Sequence, residues 1–189
     1  ALIHNTAEGM SFISQGLSLG PGDEVVLLEN EYPSNVYPWR HLESRGVVLR
    51  TAPMAQSPEG FLDGLEAVIT PRTRVLALSA VHWCTGMPLP LQAVGRRCRS
   101  AGIDLVVDGA QGVGLQPIDV RRWGIGFMAF SAWKWLMGPL GLGVLYIARE
   151  NLERLAPVFW GAESVVRARQ YLPYRRALDP TADPFTFST

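Results

Sequence analysis

Sixteen arginines and a single lysine supply the Lys and Arg charge of this chain, and that lysine, Lys134, stands between Trp133 and Trp135 just after an apolar run. A chain that meets nearly every need for positive charge with arginine keeps one lysine where a solvated charge gains nothing. Arginine stays protonated and cannot act as an amine nucleophile, whereas a lysine desolvated by apolar neighbours has its amine pKa lowered and condenses with an aldehyde. Two readings of the position stand. Lys134 is an imine-forming lysine, or it is a strand-end lysine with its stem along the indoles and its ammonium in water.

An aldehyde cofactor with a phosphate and a pyridine ring sets further requirements, and the chain holds residues of suitable type. The aldehyde takes Lys134. The ring nitrogen takes a carboxylate that keeps it protonated, so that the ring can draw in electrons, and Asp108 closes an apolar run suited to that role. A phenolic oxygen beside the imine accepts a hydrogen bond from an amide donor such as Gln111, three residues on. A phosphate suits a helix N-terminus with small hydroxyl donors, which Thr6, the backbone at Ala7, and Ser131 can provide. Tyr32 offers a ring to cover the free face of the pyridine.

These residues depend on the elements that carry them. Asn5 precedes Glu8 by three positions, and Met10, Ile13 and Leu17 follow at helical spacing, which predicts a capped helix. Residues 25–28, 74–79, 103–107 and 126–130 are short apolar runs typical of strands buried on both faces, and 47–49 is a further strand. Helical segments are predicted up to Arg45-Gly46, over about 62–69, and from Leu91 to Ala101 with Gly102 as the stop. The Gly-rich link 138–143 leads into a strand over 144–147 turned back on the others. Alternating strands and helices predict an α/β fold with a mostly parallel, mixed central sheet covered by helices on both faces. In such sheets ligands bind beyond the carboxyl ends of the strands. Tyr32, His82 and Trp83, Asp108 and Gln111, and Ser131 and Lys134 all follow such ends, so four loops are expected to converge on one crevice.

The constellation resembles the class V aminotransferases of pyridoxal phosphate fold type I, a family that includes cysteine desulfurases, kynureninases and isopenicillin N epimerase-like proteins. The resemblance runs from Asn5 to about Tyr146. Val106-Val107-Asp108-Gly109-Ala110-Gln111 is similar to the family's aspartate–glutamine motif. Phe130-Ser131-x-x-Lys134, followed by Gly138-Pro139-x-Gly141-x-Gly143, is similar to its lysine motif. Asn5-Thr6-Ala7-Glu8-Gly9 resembles the phosphate-cup helix start, and the segment from Glu31-Tyr32 to Trp39 resembles the one bearing the stacking ring. The resemblance implies pyridoxal 5'-phosphate as cofactor, the fold type I large domain, and cofactor-binding positions at Thr6, Ala7, Tyr32, Trp83, Asp108, Gln111, Ser131, Trp133 and Lys134. Four positions depart from it. Trp133 stands where the family often has His, Ala7 where many members have a second Thr, Tyr32 in place of a stacking His, and Trp83 in place of an Asn. The family's substrate-carboxylate Arg and the desulfurase nucleophilic Cys are expected in a C-terminal domain, and neither Cys84 nor Cys98 occupies that nucleophile position. Residues 185–189, Phe-Thr-Phe-Ser-Thr, resemble the family's Phe-Glu-x-Gly-Thr stretch, which implies a homodimer with sites at the interface.

With 189 residues and 48% hydrophobic content, the chain suffices for one sizeable core. Residues 1–150 are read as a cofactor-binding large domain lacking its N-terminal segment, and 151–189 as the connection toward a C-terminal small domain. Formal net charge is zero, which argues against nucleic acid or an anionic membrane as partner. The basic cluster Arg96-Arg97-Cys98-Arg99 reads as the solvent face of a helix. No apolar run approaches the length of a membrane span, and the first residues do not form a signal peptide. Two cysteines form neither a metal-type pair nor a disulfide framework, so no metal is expected and a cytoplasmic setting is the default. The expected function is a pyridoxal-phosphate enzyme acting on an amino acid through a Lys134 Schiff base, amino transfer being the first choice, with Lys134, Asp108 and Gln111 as the catalytic group. Cysteine desulfuration and kynureninase-like cleavage are alternatives, as is a truncated, non-catalytic structural or dimerisation module. A nucleotide-binding domain is disfavoured, because no Gly-x-Gly-x-x-Gly turn follows the first buried strand.

Overall fold

A computed structural model of the chain describes residues 1–55 and 57–165. The stretch over 185–189 lies outside the described residues. The apolar runs become adjacent strands of one seven-stranded sheet: β1 (Leu2–Ile3), β2 (Glu24–Leu28), β3 (Val48–Ala52), β4 (Thr73–Ser79), β5 (Asp104–Asp108), β6 (Phe127–Ser131) and β7 (Gly143–Ile147). Their order across the sheet is β1-β7-β6-β5-β4-β2-β3. The five strands from β3 to β6 are parallel, while β7 runs antiparallel to β6 and β1 antiparallel to β7.

Alternation along each strand divides the core into two layers. Val25 and Leu27, Val75 and Ala77, and Phe127 and Ala129 face one side, where they pack with Met10 and Ile13 of α1 (Thr6–Gly16) and with Trp39 of α2 (Tyr37–Arg40). Val26 and Leu28, Leu76 and Leu78, and Leu105 and Val107 face the other. There they meet Phe61 and Leu65 of α3 (Pro58–Val68) and Leu91, Val94 and Cys98 of α4 (Leu91–Ala101). Arg97 points away from this core and bonds to Glu66 of α3 at 2.6 and 2.7 Å, as a solvent-facing basic cluster should.

Boundaries differ from expectation where a local cap outweighs apolar spacing. Helix α3 starts at Pro58 rather than near 62, because Ser57 accepts the Gly60 N–H at 3.1 Å and proline suits the first helical position. The edge strand β3 is longer than 47–49 and mostly not buried, so apolar content marks it poorly. The two-residue β1 and the one-turn α5 (Val120–Trp123), capped by Asp119, escape periodicity altogether.

One close approach matters for the site. A Cβ on Gly9 would lie 2.5 Å from the Ala129 Cβ, so only glycine lets the first turns of α1 lie directly on β6. The start of α1 is thereby brought against the carboxyl end of β6.

Candidate active site

Because β6, β5, β4 and β2 are neighbours and parallel, the loops leaving their carboxyl ends form a row. Lys134 follows β6, with its amine 5.4 Å from the centre of the Tyr32 ring, which follows β2, and 5.6 Å from the centre of the Trp133 ring. Lys134 is partly buried, while Trp133 and Trp135 are each 48% exposed. The Trp133 ring lies beside the amine without enclosing it.

Asp108, the last residue of β5, is only 3% exposed and pairs in register with Ser79 on one side and Ala129 on the other. One carboxylate oxygen accepts the Ala110 N–H at 2.8 Å. Among the described residues the other oxygen accepts no hydrogen bond. Burial pushes the Asp108 carboxyl up to about 7; the Ala110 N–H opposes this, the nearby Glu31 charge adds to it, and Lys134 opposes it in turn.

Gln111 sits beyond Asp108 and accepts the Trp135 indole N–H on Oε1 at 3.0 Å. An indole N–H can only donate, so the atom facing it is the amide oxygen and the amide NH2 remains available as a donor. Gly114 lets these loops meet. Its φ is +90°, and a Cβ there would lie 2.9 Å from the Trp135 carbonyl carbon.

The start of α1 joins the site through Ser131. The Thr6 N–H donates to Ser131 Oγ at 3.1 Å, and the two hydroxyls are 3.0 Å apart. Asn5 caps the helix by accepting the Glu8 N–H at 2.9 Å, whereas the Glu8 carboxylate takes the His4 N–H at 2.6 Å instead of returning to Asn5. Ala7 lies in the first turn, where N–H groups have no helical acceptor.

Tyr32 is fixed by groups from the end of β4. Its ring meets the Trp83 ring edge-on at 5.5 Å and 76°. The Trp83 indole donates to the Asn30 carbonyl at 2.7 Å, and buried His82 lies 3.3 Å from the Glu29 carbonyl and 3.1 Å from the Thr85 hydroxyl. Glu31 is buried and accepts from the Ser79 hydroxyl and from the Ser79 and Tyr32 N–H groups. The expected residues thus come together along the strand ends. Glu31, Ser79 and Trp135 had no assigned role in the sequence; the available signal for Glu31 was an acidic residue in the short loop between the apolar run ending at Leu28 and Tyr32. Cys98 is buried in α4 with its thiol pushed up to about 12 by burial, so it is no nucleophile, while Cys84 is exposed. Among the described residues no group of three or more His, Cys, Asp or Glu side chains could hold a metal ion, and no helix is long and apolar enough to cross a membrane.

A mixed seven-stranded sheet with helices on both faces and this row of strand-end residues defines the fold type I large domain of pyridoxal-phosphate enzymes. The chain belongs to the class-V aminotransferase family, whose model, described as aminotransferase class-V, matches residues 2–177. A cysteine desulfurase of Klebsiella pneumoniae subsp. pneumoniae is 37% identical over 161 residues, covering 82% of this chain and 39% of the relative. A cysteine desulfurase of Serratia proteamaculans is 34% identical over 171 residues, covering 87% and 41%. Among solved structures, the cysteine desulfurase CsdA from Escherichia coli superposes with a TM-score of 0.85 at 31% identity, over 97% of this chain and 46% of that one. The cystine C–S lyase C-DES, in complex with its reaction product cysteine persulfide, gives 0.87 at 28% identity, over 100% and 51%. The chain spans about two-fifths of the length of these curated relatives.

Proposed function

We propose that this chain is the cofactor-binding part of a pyridoxal-phosphate enzyme that breaks the carbon–sulfur bond of cysteine or a cysteine derivative. The observation that carries the reading is the meeting of the Lys134 amine, the Tyr32 ring and the open oxygen of buried Asp108 at the ends of β6, β2 and β5. The names of the relatives, cysteine desulfurases and a cystine C–S lyase, favour the sulfur branch over the amino transfer expected first.

The residues fit pyridoxal phosphate, because a buried carboxylate with one oxygen lacking a donor suits a ring N–H, and the Gln111 amide has its NH2 to spare. When bound, the cofactor supplies an aldehyde for amines and a ring that takes up electrons. Lys134 provides the amine that holds the aldehyde and, once free, takes and returns the α-proton of the substrate as general base and acid. Asp108 accepts the ring N–H and keeps that proton in place. Gln111 donates to the phenolic oxygen, while Tyr32 and Trp83 cover the ring and exclude water from one face. The hydroxyls of Thr6 and Ser131 and the N–H of Ala7 hold the phosphate at the start of α1, and Trp133 flanks the amine.

A homodimer belongs to this reading. Leu136, Met137 and Leu140 on the lysine loop are exposed, Met137 by 89%, and a second copy is the partner assigned to them. Residues 1–150 act as the cofactor domain and 151–189 as the connection beyond it.

The test is to incubate the purified chain with pyridoxal phosphate, reduce with borohydride and map the pyridoxyl mass. Label on the Lys134 peptide, absent from Lys134→Ala, is the expected result. Cysteine and cystine are then supplied, and sulfide, alanine and pyruvate are quantified; sulfur release supports the proposal, and a keto acid formed without it returns amino transfer. An unlabelled but folded chain would leave the dimerisation module ahead.

A further inference from the structure

Glu31 is a buried carboxylate that none of these roles uses. Three donors converge on it: the Ser79 N–H at 3.0 Å, the Ser79 hydroxyl at 2.5 Å and the Tyr32 N–H at 2.7 Å. Burying a charge is costly unless hydrogen bonds satisfy it, and here they do. Ser79 is also the residue in register opposite Asp108, and the next N–H, that of Ala80, donates to the Asp108 carbonyl at 2.8 Å. Two buried carboxylates therefore flank one strand end. Glu31 has three protein donors and Asp108 has one. The other titratable groups of these loops are His82, Cys84 and Glu29 near β4 and β2, Tyr32, and Lys134 after β6, and no arginine bonds to either carboxylate among the described residues.

We propose that Glu31 is a positioning residue that clamps the Tyr32 backbone to the end of β4 and sets a second negative charge behind Asp108, so that the site favours a cationic ring N–H over a neutral ring of the same shape. The proposal rests on the assignment of a pyridoxal-type ring to this site. The Glu31 charge is one of the causes that raise the Asp108 carboxyl, so the two groups sense each other across Ser79. A ring proton shared with Asp108 relieves that repulsion, and a ring carbon in the same place cannot.

The experiment compares binding of pyridoxal phosphate with that of its 1-deaza analogue, in which the ring nitrogen is replaced by C–H, by equilibrium dialysis against the cofactor-free chain. Glu31→Gln keeps the shape and removes the charge. It is expected to weaken pyridoxal phosphate about tenfold more than the analogue, the equivalent of one pKa unit of interaction. Ser79→Ala removes the hydroxyl bond but leaves the charge, and is expected to weaken both ligands alike. Equal losses, or none, in a Glu31→Gln chain with wild-type circular dichroism overturn the proposal. Should Glu31→Gln not fold, Glu31→Asp decides: retained preference for pyridoxal phosphate supports the charge, and lost preference overturns it. A wild-type chain that binds neither ligand overturns instead the assignment of the cofactor.

Discussion

Asp108 is under opposing demands. Folding removes its carboxyl from water and pushes it up to about 7 from an ordinary 3.8, while the proposed chemistry needs it charged beside a ring cation. A carboxyl held more tightly protonated in the folded chain makes stability fall as pH rises from about 4 to about 7, and leaves it level above that. Asp108→Asn removes this slope and keeps an acceptor for the Ala110 N–H. Without cofactor, the variant should be more stable than wild type at pH 8, by up to about 4 kcal/mol, in urea unfolding followed by circular dichroism. With cofactor supplied it should bind more weakly. A wild-type stability that does not fall between pH 4 and 7 relative to Asp108→Asn would show that the carboxyl is not raised. The placing of Lys134, Asp108, Gln111 and Tyr32 at the carboxyl ends of the strands was legible in the sequence, because each closes or follows an apolar run. Glu31 and Trp135 were not, since their parts depend on Ser79, 48 residues away, and on Gln111, 24 residues away. No spacing rule reports such pairs.

At the scale of elements, the end of the sheet opposite the site has its own electrostatic lock. Glu24, the first residue of β2, is fully buried and holds Arg50 of β3, whose Nε lies 2.7 Å away, together with Arg72 and Thr70 from the turn before β4. The Arg50 hydrogen bond leads the causes that lower the Glu24 carboxyl to about 2; burial opposes it, and Thr70 and Arg72 reinforce it. A lowered carboxyl stabilises the fold fully above its ordinary 4.5, and that contribution disappears as pH falls through about 2. Glu24→Gln should therefore cost stability at pH 7 and lose less than wild type on acidification from 4.5 to 2, measured by urea unfolding across that range. Parallel acid arms for the two proteins would rule this out. The buried strands of this region were legible as continuous apolar runs, and α4 was legible to the residue because Gly102 stops it at φ +67°. The edge strand β3 and the first turn of α3 were less so, the one for want of burial and the other because a Ser-Pro cap carries no apolar period.

For the molecule as a whole, the lysine loop leaves three neighbouring apolar side chains, Leu136, Met137 and Leu140, exposed. If a second copy covers it, Met137→Asp places a charge in that contact and should shift a dimer toward monomer, raising the dissociation constant at least tenfold in sedimentation equilibrium. An unchanged distribution would separate the loop from assembly. The parallel order of the strands was legible in the alternation of elements. The exposure of Leu136, Met137 and Leu140 was not, because exposed apolar residues read the same in sequence as buried ones. One contact also sets a timetable. Thr6 and Ser131 are 125 residues apart, and their bond joins the first helix to the sixth strand. During synthesis the first helix can cap itself as soon as Glu8 has emerged, but its hydroxyl partner exists only after β2, β4 and β5 have been made. Closing so long a loop also has an entropic cost that local helices avoid. The start of α1 thus waits for most of the parallel strands before it can meet Ser131, and the phosphate site proposed there cannot form on a nascent chain that has not reached β6.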